Sequence, residues 1–197
     1  MIPAVSVTTG IRLIVGLGNP GAAYDRTRHN AGADLVQALA QGFGVTLRHE
    51  ARFHGSVARV PPELRLLVPD TFMNLSGQAV VALLQFYQIA PDSMLVVHDD
   101  LDLPPGTARL KLGGGHGGHN GLRDIMARLG ERHDFARLRI GIGHPGPGAD
   151  VVGYVLRKPP PAERELIDST FARAADVIPD LVGGDFSRAM QRLHTTN

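Results

Sequence analysis

The sequence predicts an α/β domain in three layers: a mixed, twisted central sheet flanked by helices on both faces. Three observations predict it. Short apolar runs alternate with amphipathic stretches through most of the 197 residues, which is the pattern of strand–helix repeats. Two apolar segments joined by Pro61-Pro62 read as a hairpin, so at least one strand pair is antiparallel and the sheet is mixed. Glycine- and aspartate-rich loops fall where the apolar runs end, the edge at which an open α/β sheet collects its chemistry.

In chain order, Met1–Gly10 reads as a flexible leader, with no basic segment and apolar core of a secretory signal. Residues 11–197 read as one catalytic domain. Ile11–Leu17 is predicted as a buried strand ended by glycine. It runs into Gly16-Leu17-Gly18-Asn19-Pro20-Gly21, a tight loop that continues through Tyr24 to Arg28-His29-Asn30. Ala31–Phe43 has apolar residues at helical spacing, with Gly42 and Gly44 to stop it. Phe53–Val60 and Leu64–Val68 are the hairpin strands, and Pro69–Asn74 is a loop. Ser76 is the expected cap of a helix over Gln78–Tyr87. Met94–His98 reads as a short buried strand, followed directly by His98-Asp99-Asp100-Leu101-Asp102 and a turn at Leu103–Gly106. Thr107–Leu112 alternates as a strand. A second glycine loop, Gly113–Gly121, precedes a helix over Leu122–Leu129. Leu138–Ile142 is a strand and Gly143–Gly148 a loop. Val151–Val155 reads as extended, and two helices cover about Ala162–Ile178 and Ser187–His194.

Composition narrows the chemistry. There is no cysteine, which excludes thiolate catalysis, disulfides and zinc–thiolate sites and suits a reducing, cytoplasmic setting. No apolar run reaches the ~18 residues of a membrane span. The net charge of +1 argues against a general nucleic-acid coat, but the charge is uneven. Residues 109–139 carry seven bases (Arg109, Lys111, Arg123, Arg128, Arg132, Arg137, Arg139) against three acids. Beside a glycine loop, that surplus is either a phosphate footprint or a solvated helix face.

Several motifs point to chemistry. Gly16-x-Gly18-x-x-Gly21 matches the dinucleotide fingerprint, yet no helix begins within it to face a pyrophosphate, so a nicotinamide or flavin cofactor is disfavoured. Gly113–Gly121 lacks the Gly-Lys-Ser/Thr ending of a nucleotide-hydrolysing loop. His116-x-x-His119, with His98 and Asp99, has metal-ligand residue types but no third ligand at helical spacing, so no metal is expected. Ser76 is no nucleophile elbow. What remains is His29 as a general base, with Asp99 emerging at the same sheet edge to fix its tautomer. Asn19, Asn74 and Asn120 each end an apolar segment and could serve an oxyanion or a peptide amide, although each is also an ordinary turn residue. A water-activating hydrolase is the leading enzymatic reading. An RNA-binding module without catalysis and a nucleotide-dependent oxidoreductase are the alternatives.

These same residues resemble the motifs of the bacterial-type peptidyl-tRNA hydrolases: Gly16–Gly21 with Tyr24 and Thr27–Asn30, Phe72–Gly77, His98–Pro104, Gly113–Leu122, and Arg137–Gly143. The resemblance covers about residues 11–195. It implies cleavage of the ester between a peptide and the 3′ end of tRNA, releasing tRNA from aborted translation, without metal, cofactor or covalent intermediate. It further implies that His29 activates water and Asp99 holds and polarises it, while Asn19 distinguishes an N-blocked peptide. Tyr24, Phe72, Asn74 and Asn120 would hold peptide, ester or tRNA end. Arg109, Lys111 and Arg139 would meet acceptor-stem phosphates, with His119 supporting the site. The family is cytoplasmic and usually monomeric, with no obligate protein partner and no membrane attachment. Asp34-Leu35 departs from the pattern, standing where relatives often carry an aromatic.

Overall fold

The computed structural model describes residues 9–195. Its strands are β1 (Leu13–Gly16), β2 (Arg48–Glu50), β3 (Gly55–Val60), β4 (Leu64–Pro69), β5 (Met94–Asp100), β6 (Ala108–Leu112) and β7 (Ala136–Gly141). The helices are α1 (Ala31–Gly42), α2 (Ser76–Tyr87), α3 (Asn120–Arg128), α4 (Val151–Val155), α5 (Pro161–Val182) and α6 (Phe186–Thr195). The strands form one sheet in the order β2-β3-β4-β1-β5-β7-β6. The four strands β4, β1, β5 and β7 are parallel, and β2, β3 and β6 pair antiparallel at the edges. The mixed sheet and the hairpin at β3–β4 follow the sequence reading.

Strand alternation builds two cores. Ile14, Leu66, Leu95, Val97 and Leu138 face α1, α5 and α6, where they meet Leu35, Ile167, Val177, Leu181 and Ala189. Leu13, Val15, Leu67, Met94 and Val96 face α2 and α3, where they meet Val80, Leu83, Leu122 and Ile125. Central strands buried on both faces read as continuous apolar runs because neither side meets water. The outcome is a single three-layer α/β/α domain. Among the described residues, no helix is long and apolar enough to cross a membrane.

Several elements differ from expectation, each for a local reason. β2 is absent from the sequence reading because Arg48-His49-Glu50 is a short, largely exposed edge strand with no apolar period. β3 starts only at Gly55, since Ala51–Phe53 forms a 3-10 turn that ends in a left-handed His54. β5 continues through Asp100, because β7 pairs with it as far as Asp100 opposite Gly141. Val151–Val155 is helical rather than extended: Asp150 accepts a hydrogen bond from the Gly153 amide (2.9 Å) and caps the turn, outweighing the β preference of valine. Ser76 is the first residue of α2 rather than its cap, and its hydroxyl donates back to the Met73 carbonyl (2.7 Å).

Residues 1–8 of the expected leader lie outside the described residues. Thr9 and Gly10 lead into β1, and a side chain on Gly10 would collide with the Val182 carbonyl at the end of α5. The Asp34 departure has a partner: Arg164 of α5 donates to it at 2.7 Å, so a charged pair occupies that part of the α1–α5 contact.

Candidate active site

Parallel neighbours β1 and β5 end at the same edge of the sheet, so the loop after β1 and the end of β5 meet there. The loop turns sharply at Gly21, whose φ of 101° favours glycine. Two 3-10 turns follow, Ala22–Tyr24 and Arg28–Asn30, and α1 begins only at Ala31. The absence of a helix within the fingerprint, read from the sequence, is borne out. The first turn of α1 lies directly on the sheet. A Cβ on Gly32 would stand 2.2 Å from the Val97 carbonyl, and one on Gly16 would stand 2.5 Å from the Gly32 carbonyl. That close approach brings the turn carrying His29 against β5.

There, His29 Nδ1 lies 3.0 Å from both carboxylate oxygens of Asp99. His119 Nε2 lies 2.9 Å from Asp99 Oδ1. The Leu122 amide donates to His119 Nδ1 (3.4 Å), which assigns the His119 proton to Nε2 and makes that nitrogen the donor to Asp99. Asp99 thus accepts from two imidazoles while only 4% exposed. Burial alone would raise its pKa, but the two histidines hold the carboxyl below its ordinary range. Burial pulls His29 down, and the charge and hydrogen bond of Asp99 more than offset it, so the imidazole titrates above its ordinary value. His29 Nδ1 is committed to Asp99, which leaves Nε2 as the nitrogen able to take a proton. One nitrogen or oxygen atom from each of His29, Asp99 and His119 falls within 4.8 Å of the other two, a ligand set by residue type, although not the one suspected around His116. In this structure the three are joined to each other by hydrogen bonds. His116 instead orders its own loop, accepting from the Gly118 amide at 3.0 Å.

His29, Asp99 and His119 line a cleft of about 410 Å³ together with Asn120, Lys111, Arg139 and Arg137. The β6–β7 register places Arg109 opposite Arg139 and Lys111 opposite Arg137. Like charges set directly opposite each other repel. Asp100 answers one of them, accepting from Arg139 Nε at 2.7 Å. Arg137 points its guanidinium at the carbonyls of Gly113, Gly114 and Gly115, the last at 2.8 Å. The glycine loop therefore turns these carbonyls inward onto a buried cation. Arg109 is not among the cleft-lining residues. It runs beside His194, whose pKa is lowered first by burial and then by that guanidinium.

The remaining expected residues form the adjoining wall. Asn19 Oδ1 accepts from the Met73 amide (2.7 Å), joining the first loop to the second. Tyr24 and Phe72 meet edge to face with ring centroids 6.2 Å apart, and Phe72 is 54% exposed. Asn74 is exposed in the 3-10 turn Met73–Leu75. Asn120 opens α3, where its Oδ1 accepts from Arg123 (3.1 Å).

Three residues near this wall were given no part in the hydrolase reading of the sequence. Asn30 precedes α1 but makes no side-chain cap; its amide instead forms two bonds with the Asn19 backbone (2.8 and 2.9 Å). The sequence marked it only as a polar residue beside His29. Arg137 is one of seven similar bases, and nothing local marks it out. His98 is fully buried, donates from Nδ1 to the Asp99 carbonyl (2.8 Å), and is pushed by burial down to about 3, so it stays neutral.

The family model described as peptidyl-tRNA hydrolase matches residues 13–197. A peptidyl-tRNA hydrolase of Pseudomonas aeruginosa is 55% identical over 190 residues, covering 95% of this chain and 98% of that protein. One of Sodalis glossinidius is 59% identical over 187 residues, covering 93% and 96%. The crystal structure of peptidyl-tRNA hydrolase from Acinetobacter baumannii superposes with a TM-score of 0.89 at 50% identity, covering 93% of this chain and 94% of that one. With a family model spanning nearly the whole domain and relatives this similar along their full length, the chain belongs to the peptidyl-tRNA hydrolase family.

Proposed function

We infer that the cleft hydrolyses the ester that joins a peptide to the 3′-terminal ribose of tRNA, with His29 as the general base. The observation that carries this reading is the buried His29–Asp99 pair. A carboxylate that accepts from Nδ1 fixes the tautomer and favours the imidazolium, and Nε2 is left to act on water. In the first step Nε2 takes a proton from water as its oxygen bonds to the ester carbonyl carbon. The resulting tetrahedral oxyanion collapses, the bond to the ribose oxygen breaks, and that oxygen receives the proton back from the imidazolium. Free tRNA and free peptide leave. An ester is labile enough for this route, and no covalent enzyme intermediate is required.

The surrounding residues supply binding and orientation. The Oδ1 of Asn19 is occupied by the Met73 amide, so its NH2 group is what it can offer, and a carbonyl of an N-blocked peptide is a suitable acceptor. Asn120 is similarly left with its NH2 group, because Arg123 takes its oxygen. Asn74 is exposed beside them, and the Tyr24–Phe72 pair offers an aromatic surface to the peptide or to a terminal base. Lys111 and Arg139, with Arg109 behind them, would meet phosphates of the tRNA end, relieving the repulsion built into the β6–β7 register. His119 supports the base by sharing its carboxylate. The chain acts as a cytoplasmic monomer on this reading.

The test compares release of tRNA from N-acetylated aminoacyl-tRNA with release from free aminoacyl-tRNA. The expected result is rapid cleavage of the blocked substrate, slow cleavage of the free one, and loss of both in His29→Ala. Binding of tRNA by the wild type with no cleavage would overturn the reading in favour of a binding module.

A further inference from the structure

The residues on either side of His29 are anchored in opposite directions, whereas the turn that carries it has little of its own to hold it. The 3-10 turn Arg28–Asn30 has no side-chain cap, and α1 begins without one. Asn30 binds the loop before it. Arg28 reaches the other way, into the layer formed by α4 and α5, and is 6% exposed.

The contacts of Arg28 are unusually complete. Its Nε and Nη2 donate to the two oxygens of Glu163, at 2.6 and 3.1 Å, in a fork-to-fork pair. Its Nη1 donates to the Tyr154 carbonyl (3.2 Å) and the Arg157 carbonyl (3.5 Å). The guanidinium carbon lies 4.0 Å from the centroid of the Tyr154 ring. The Arg28 backbone amide also donates to the Arg157 carbonyl, at 3.2 Å. Tyr154 is fixed in turn, its hydroxyl donating to the Ile142 carbonyl just after β7 (2.7 Å). The neighbouring residues repeat the pattern: Arg26 pairs with Asp168 of α5 (3.1 Å), and Arg164 of α5 reaches the Arg26 carbonyl (3.5 Å).

We propose that Arg28 is a positioning residue for His29, and that the first turn of α5, through Glu163, acts on the distance between the His29 ring and Asp99. The proposal rests on His29 being the base. Arg28 does not need to touch substrate. A lysine at position 28 would keep the charge but lose both the fork and the planar stacking, so it separates geometry from electrostatics.

The experiment uses the full chain. In Arg28→Lys, kcat is expected to fall about 10- to 100-fold with KM within about twofold, since misplacement by about an ångström at a reacting group has effects of this size. The groups facing the His29 ring are Asp99 and His119, with His98 behind His119. None of them changes in this variant. The His29 titration midpoint, followed by NMR in the free protein, should therefore move down as its bond to Asp99 loosens. Glu163→Gln is the milder second variant if Arg28→Lys fails to fold, and it should lower kcat in the same direction. The two changes combined should cost little more than Arg28→Lys alone. A kcat within twofold of wild type in both single variants, an unmoved midpoint in Arg28→Lys, or fully additive losses would overturn the proposal. The NMR midpoint keeps the two readings separable: an inactive wild type sinks the hydrolase reading, while the midpoint still judges the role of Arg28.

Discussion

Among the described residues, one concavity lies at each end of the parallel strands. The larger, about 740 Å³, lies where the parallel strands begin, between Ile11, Phe43, Leu64, Ile178 and Val182. The smaller, about 410 Å³, lies where they end and holds His29, Asp99 and His119. The larger is the more apolar, and of its charged groups, Arg12, Glu63 and Asp92, the first two form an exposed pair at 3.5 Å. The smaller buries a carboxylate between two imidazoles and faces a row of cations. Volume therefore does not mark the chemistry. What marks it is charge withdrawn from water and held by partners, an arrangement that demands compensating bonds and rarely occurs without a use.

The sharpest way to break this comparison is His29→Ala. Its kcat/KM should fall about 10³-fold, within the usual range for loss of a general base. An unchanged rate would move attention to the other end of the sheet. Asp99→Asn comes next, with a loss of about 10²-fold and a shift in pH dependence. With His29 as the proposed base, activity requires its neutral form, so wild-type kcat/KM should rise with pH around a midpoint above the ordinary ~6.5. Without the carboxylate, burial remains as the force lowering the imidazole, and the midpoint should drop. A midpoint that stays in place would assign the titration to another group. Lys111→Met should act on binding instead: KM rises, and the slope of log affinity against log salt loses about one unit. The smallest effect belongs to the opposite end. Gln88 lines the larger concavity with a left-handed φ of 52°. Gln88→Gly should leave kcat/KM unchanged and raise stability by no more than about 1 kcal/mol in thermal or denaturant unfolding.

The sequence was most legible where apolar period and chemistry coincide. β1, β5, α1 and the parallel sheet edge followed from buried runs, and that edge alone brings His29 to Asp99. Edge and boundary structure was less legible. β2 is polar and short, and α4 is a valine-rich turn whose fate depends on one aspartate cap. Within the candidate site, the sequence marked residues that could do chemistry, but not those that hold them. Asn30 reads as a polar loop residue beside His29 until its bonds to Asn19 are seen. Arg28 and Arg137 read as two of many arginines, because partners 135 residues away in Glu163, or carbonyls in a glycine loop, leave no local trace. The first half of the Gly113–Gly121 loop was illegible for the same reason: the direction in which the Gly113, Gly114 and Gly115 carbonyls face is tied to the distant Arg137 side chain.

Three consecutive residues of β5 have three separate destinations. His98 bonds the Asp99 carbonyl, Asp99 takes two imidazoles, and Asp100 takes Arg139. Side chains alternate along a strand, so sliding β5 by one position would set an imidazole or a salt-bridged acid against His29 in place of the shared carboxylate. Catalysis in such a molecule would be slowed by at least the roughly 10²-fold expected for loss of the Asp99 carboxylate, so it would add little to the measured rate. The turnover of a refolded sample divided by its protein concentration then counts the molecules whose central strands have zipped in the right alignment, which makes this enzyme a reporter on its own folding fidelity.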